Sequence, residues 1–128
     1  MTRRLQHVSV PAPLDGAGEA RAFYGGLLGL AEKPVPASLE PDRFVWFDAG
    51  TGELEVHLFL VDAPPTPRTG AHFRLHVDDL GGVRSRLEEA GARIEEARPI
   101  GNRPRFFCDD PFGNLIELTS IAGPYPTA

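Results

Sequence analysis

One arrangement of side chains occurs twice in this chain, and any fold must accommodate both copies. His7 and His72, each on an alternating run, lie 65 residues apart; Leu14 and Leu80, at the starts of two helical patterns, 66; Phe47 and Phe107, on two aromatic runs, 60. The small drift is of the size that loops absorb. Each copy reads as strand, helix, then strands joined by a turn. The prediction is an α+β fold: two βαβββ modules in tandem, with the helices packing on one side of each sheet. The modules are expected over about 4–61 and 71–122, within a single domain spanning 1–128. Residues 62–70 between them hold Pro64, Pro65 and Pro67, which make a stiff spacer.

The elements follow from periodicity. Residues 4–10 alternate, with Val8 and Val10 opposite His7 and Ser9, and Pro11-Ala12-Pro13 is expected to end that strand. Asp15-Gly16 opens a helix to about Leu28, with Ala20, Phe23, Tyr24, Leu27 and Leu28 on one face and Gly29 ending it. Residues 33–42 carry three prolines and read as loop, or an edge strand at best. Residues 43–48 form an aromatic strand, Ala49-Gly50-Thr51-Gly52 a turn, and 53–61 a strand that alternates cleanly. Residues 71–77 alternate again. Asp78 or Asp79 caps a second helix bearing Leu80, Val83, Leu87 and Ala90, which Gly91 ends. Residues 93–97 make a further strand. Arg105 to Thr119 reads as strand, turn, strand about Asp110-Pro111-Phe112-Gly113-Asn114, and residues from Gly123 on form a tail.

Composition excludes several functions. Net charge is -5 with no basic run, which argues against nucleic acid. No apolar stretch is long enough to span a bilayer, and the first residues lack the apolar segment of a signal peptide, so the chain is expected to be cytoplasmic with no membrane partner. A single cysteine excludes an internal disulfide and a Cys-based zinc site, and Cys108 is expected to be a buried filler.

The polar strand faces carry the chemistry. Opposite the apolar faces lie His7 and Ser9; Glu55, His57 and Phe59; His72, Arg74 and His76; Glu117 and Thr119. All four histidines of the sequence are in this set. Solvated sheet faces favour Lys, Thr and Glu over His. Imidazoles and a carboxylate suit a first-row divalent cation, and two His with one carboxylate leave positions open for substrate.

The chain resembles the vicinal oxygen chelate superfamily, which includes glyoxalase I, extradiol dioxygenases, fosfomycin-resistance thiol transferases, methylmalonyl-CoA epimerase and bleomycin-binding proteins. The resemblance rests on His7-Val8-Ser9-Val10, on Ala22 to Leu30, on His72 to Leu80 and on Asp110 to Leu118. It implies that the two modules form a cupped mixed sheet, helices on the outer side, around a divalent metal (Fe, Mn, Ni or Zn) held by His7, His72 and Glu117. At the fourth position His57 is favoured, because His57-Leu58 mirrors Glu117-Leu118; Glu55 stays open as the alternative. Counting from the turn glycine lands on Val56, so a one-residue bulge is needed to bring His57 there. The implied mechanism is chelation of adjacent oxygens of a small substrate, with an enolate-like intermediate stabilised and Glu117 or His57 acting in catalysis.

Around that centre, Arg74, His76, Ser9, Trp46, Phe59 and Phe107 are the expected substrate-binding residues. Tyr24 is a candidate second-sphere group that reads first as a core aromatic, and Arg103 and Arg105 are candidates for an anionic substrate that read first as solvated charges. The resemblance also implies a homodimer. Two functions remain open: a metal-dependent lyase, isomerase or dioxygenase, and a non-catalytic protein that binds a drug or aromatic ligand beside Trp46, Phe59 and Phe107.

Overall fold

The computed structural model describes residues 2–50, 53–64 and 70–124. Thr51 and Gly52 of the expected turn, residues 65–69 of the spacer and the tail from Tyr125 on lie outside the described residues. The chain divides into two compact units, Met1–Thr66 and Pro67–Ala128.

In the first unit β1 (His7–Pro13) leads into α1 (Ala17–Ala20), which continues as a π-helical stretch, Arg21–Leu27. Then come β2 (Glu32–Lys33), a 3-10 turn at Pro41–Arg43, β3 (Phe44–Asp48) and β4 (Glu55–Val61). The strands form one mixed sheet in the order β1-β4-β3-β2; β1 runs parallel to β4, and the other pairs are antiparallel. The second unit repeats the plan with β5 (His72–His76), α2 (Leu80–Glu89), β6 (Ile94–Glu96), β7 (Arg105–Asp109) and β8 (Leu115–Thr119). Its sheet has the order β5-β8-β7-β6, with β5 parallel to β8. The architecture is α+β, two four-stranded mixed sheets built from βαβββ modules.

β1 and the first helix differ from expectation, and β1 begins at His7 rather than at residue 4. β1 does not stop at Pro11 but runs through Pro13. It lies at the sheet edge, where a residue without an N–H removes no ladder bond on its outer side. The first helix reaches 27 as expected, but most of it is π-helical, closed by a bond from Leu28 N–H to Phe23 O at 3.0 Å. The wider turn brings Phe23 and Leu28, five residues apart, to the buried side, while Leu27 is only half-buried.

Each unit has its own core. In the first, Val45, Phe47, Val56, Leu58 and Leu60 are buried together with Ala20, Phe23, Tyr24 and Leu28, and the Tyr24 and Phe47 rings lie 5.6 Å apart. In the second, Leu75, Phe106, Cys108, Ile116 and Leu118 are buried with Val83 and Leu87 of α2. Burial pushes the Cys108 thiol up to about 12, so it stays protonated and inert. Asp79 caps α2 by accepting from Gly82 N–H at 3.0 Å, and Gly91 leaves the helix at φ 77°. No helix among the described residues is long and apolar enough to cross a membrane.

The turn between β7 and β8 is held by one buried carboxylate. Asp110 Oδ1 accepts from Phe112 N–H at 2.9 Å and Asn114 N–H at 2.8 Å, while Oδ2 accepts from the Asn114 amide at 2.8 Å. Gly113 takes φ 89°, a conformation side chains resist. Asp110→Ala strands buried N–H groups and is expected to lower stability by about 2–4 kcal/mol. Asp79→Ala, which removes an exposed cap, is expected to cost about 1 kcal/mol. Urea unfolding of the two variants checks that order, and equal losses contradict it.

Candidate functional site

Strand register decides which side chains share a face. In the first sheet Lys33, Trp46, His57 and Ser9 stand in one row across the strands, with Asp48, Glu55 and His7 in the next. In the second, the matching rows are Glu95, Phe107, Glu117 and Arg74, then Asp109, Leu115 and His72. His7 thus corresponds to His72, and His57 to Glu117. Trp46, and not Phe47 as the sequence spacing suggests, corresponds to Phe107; Phe47 faces the core. The discrepancy has a simple origin. Six residues link the paired Asp48 and Glu55, whereas five link Asp109 and Leu115. The extra residue is in the connection and not in a strand bulge, so counting from the turn glycine misses by one.

In the first module the imidazole of His57 is sandwiched. Its ring lies 4.1 Å from that of His7 and 3.9 Å from that of Trp46, nearly parallel to both. Glu55 Oε1 is 2.7 Å from His57 Nε2, and Glu55 Oε2 accepts from Lys33 Nζ at 2.6 Å. The Lys33 ammonium first, then His57, holds the Glu55 carboxyl at about 2, below its ordinary 4.5. Burial lowers the His57 pKa from its ordinary 6.5. At neutral pH His57 is therefore a neutral imidazole that donates Nε2–H to Glu55 and keeps its lone pair on Nδ1. Trp46 Nε1 is buried and finds no hydrogen-bond acceptor among the described residues.

His7 is held the other way round. Gln6 Nε2 donates to Glu53 O at 2.8 Å, which fixes the amide and leaves Gln6 Oε1 to accept from His7 Nδ1 at 2.6 Å. His7 therefore carries its proton on Nδ1 and presents Nε2. His72 repeats this: Nδ1 donates to Gly70 O at 2.7 Å, and Nε2 points to Glu117 Oε1 at 3.1 Å. Orientation of one ring nitrogen by a carbonyl oxygen is the usual support for a histidine that binds metal through the other.

Glu117 is buried, and its second oxygen is crowded. Arg74 Nε and Arg105 Nη1 both lie 3.2 Å from Oε2. Arg74 is steadied by Thr119 Oγ1, which accepts from Nη2 at 3.0 Å; Arg105 by Arg98 O, which accepts from Nε at 3.1 Å and Nη2 at 2.8 Å. Arg105 is not the solvated charge that the sequence suggests: its side chain is only 16% exposed. Position on β7, one strand from Glu117, was the signal that could have found it.

The donor set tests a metal. A lone pair on His72 Nε2 facing a carboxylate oxygen at 3.1 Å requires a cation between them, a proton or a metal ion. That pair fits. His7 offers a third nitrogen on its own module. The stacked rings of His7 and His57 do not aim in-plane lone pairs at one point in this conformation. Among the described residues no group of three or more His, Cys, Asp and Glu side chains is close enough to hold a metal ion.

The other expected site residues are less committed. Ser9 is exposed beside His57, and Phe59 is half-buried opposite Phe44. Phe107 meets His72 edge-on at 5.0 Å. His76 accepts from Ile121 N–H through Nδ1 and faces Asp78 through Nε2, each at 3.0 Å, so both ring nitrogens serve local structure. Tyr24 is core.

A family model described as the Glyoxalase/Bleomycin resistance protein/Dioxygenase superfamily matches residues 4–118. Among curated proteins none matches the sequence. Of the solved structures, a glyoxalase family protein from Bacillus anthracis is 30% identical, with 94% of this chain and 97% of that one covered and a TM-score of 0.80. A lactoylglutathione lyase from Agrobacterium tumefaciens is 25% identical over 93% and 94%, TM-score 0.63. TnmS3, an antibiotic binding protein from Streptomyces sp. CB03234, shares the fold at 23% identity over 94% and 97%, TM-score 0.68.

The Glu55 carboxylate has a depressed pKa, so its contribution to stability is full above the unfolded value of 4.5 and is lost as pH falls through about 2. His57, also depressed, contributes fully above 6.5 and loses its share below that. In metal-free protein the stability difference between wild type and Glu55→Gln is expected to shrink between pH 4.5 and 2. Urea titrations across that range check this, and a constant difference contradicts it.

Proposed function

We propose, for a chain that belongs to the Glyoxalase/Bleomycin resistance protein/Dioxygenase superfamily, that it is a divalent-metal-dependent enzyme of glyoxalase or dioxygenase type acting on a small molecule with adjacent oxygens. The superfamily spans lyases, oxidases and antibiotic-binding proteins, so family alone does not choose among them. The supporting observation is the shared orientation of His7 and His72: each gives Nδ1–H to a carbonyl oxygen and presents Nε2.

Each module offers donors on its own polar face. His7 Nε2 comes from the first; His57 Nδ1 would become its further donor once the two rings turn out of their present stack. His72 Nε2 and Glu117 Oε1 come from the second. A cation of the Fe, Mn, Ni or Zn type, when bound, supplies Lewis acidity that favours negative charge on adjacent substrate oxygens. Glu117 Oε1 and His57 Nδ1 are the atoms suited to take a substrate proton, and Glu55 fixes the His57 ring for it. Arg74, beside Glu117, and the faces of Trp46 and Phe107 would orient the substrate. Homodimerisation belongs to the same proposal.

A second reading, non-catalytic binding of a drug-like or aromatic ligand, is favoured by the two arginines on Glu117, which weaken that carboxylate as a metal donor. Metal affinity separates the readings. Titration of metal-free protein with Fe2+, Mn2+, Ni2+ and Zn2+ in turn is expected to raise Tm with at least one of them, because a ligand of the native state stabilises it. His72→Ala and Glu117→Gln are expected to abolish that rise. Gln6→Leu, which frees the His7 ring, is expected to weaken affinity by about tenfold. Wild-type protein that gains no stability from any of the four metals belongs to the second reading.

A further inference from the structure

Two guanidinium groups and one carboxylate meet inside the second module, and the charges do not balance. Arg74 and Arg105 have side chains 22% and 16% exposed, and Glu117 only 6%. Both arginines reach the same oxygen, Oε2, at 3.2 Å. Charge-assisted pairs normally close to about 2.7–2.9 Å. One oxygen is thus divided between two cations, and neither contact is tight. Most other acids of this module have other partners: Asp109 and Glu95 pair with Arg93, Glu88 and Glu96 with Arg84, Asp78 with His76, while Glu89 is exposed on α2. Asp79 caps α2, and Asp110 holds the turn. The two guanidiniums of this half-buried centre, held in place by Thr119 and the Arg98 carbonyl, thus share the carboxylate of Glu117.

We propose that Arg74 and Arg105 form an oxyanion subsite, and that the ligand of this protein carries a carboxylate or phosphonate-type group which these two arginines take. The guanidinium fork matches such planar or tetrahedral oxyanions geometrically, and a low-dielectric setting strengthens the attraction. Seating the anion draws the arginines from Oε2 and frees Glu117 to turn its charge toward His72. Anion binding and cation binding at the His72–Glu117 pair then reinforce one another, and linkage makes that reinforcement mutual. The inference rests on the reading of this face as the ligand site; the oxyanion subsite itself does not require a metal.

The test is nuclear magnetic resonance of the arginine Nε–H groups in the metal-free wild-type protein at constant ionic strength, titrated with acetate and with methylphosphonate. The Arg74 and Arg105 signals are expected to move saturably with at least one probe, with chloride as the control. Arg74→Lys and Arg105→Lys keep the charge but remove the fork, and each is expected to weaken probe binding at least tenfold. Signals that move with neither probe, or variants that bind as wild type does, overturn the proposal. A separate Mn2+ titration keeps the failures apart. Arginine-dependent anion binding without metal binding upholds this subsite and defeats the metal-enzyme reading. Metal binding, with anions bound only by metal-loaded protein regardless of the arginines, does the reverse.

Discussion

The parallel pairing of the first and last strands of each module is the constraint on which the rest depends. In the first module it sets β1 against β4, and in the second β5 against β8. Two strands distant in sequence are thereby placed side by side, in a register that puts His7 one row from His57 and His72 one row from Glu117. A shift by one residue would turn every one of these side chains into the apolar core. Val56, Leu58, Ile116 and Leu118, all buried on the opposite face, are what prevent the shift. The core therefore positions the polar face, and the same alternation that buries four aliphatic side chains delivers the imidazoles and the carboxylate.

Much of this was legible in the sequence because alternation and duplication are strong signals. The α+β class, the repeated module and the polar face bearing His7, His57, His72 and Glu117 can be read directly from spacing. The details that were not legible each have a local cause. Pro11 and Pro13 read as a strand end, but an edge strand tolerates them. Helical periodicity assigned Leu27 to the core, whereas the π-helical stretch substitutes Leu28. Phe47 was matched to Phe107 because the extra residue between β3 and β4 is invisible to counting. Arg105 read as a solvated charge because burial of an arginine depends on partners, here Glu117 and the Arg98 carbonyl, that only the fold brings together.

The two modules answer the same geometry with different chemistry. In the first, Lys33, Glu55 and His57 form a chain of hydrogen bonds, and the Lys33 ammonium also lies 3.5 Å from Asp48 Oδ1, so one cation serves two carboxylates. In the second, Glu117 faces two arginines and a histidine, and the balance is positive. Duplication preserved the row positions while the residues beside them diverged: Ser9 stands where Arg74 does, Trp46 where Phe107 does, Lys33 where Glu95 does. The two half-equivalent faces therefore differ in chemistry, with imidazole and indole stacking in one and charge in the other.

The central claim is that local hydrogen bonds have already chosen which nitrogen each histidine presents. Long-range proton–nitrogen correlation spectra of the metal-free protein near neutral pH read this directly. The account predicts a proton on Nδ1 of His7 and His72, and a neutral imidazole protonated on Nε2 for His57. His7 and His72 with the proton on Nε2 alone would contradict it, since neither ring would then present the nitrogen that the site requires.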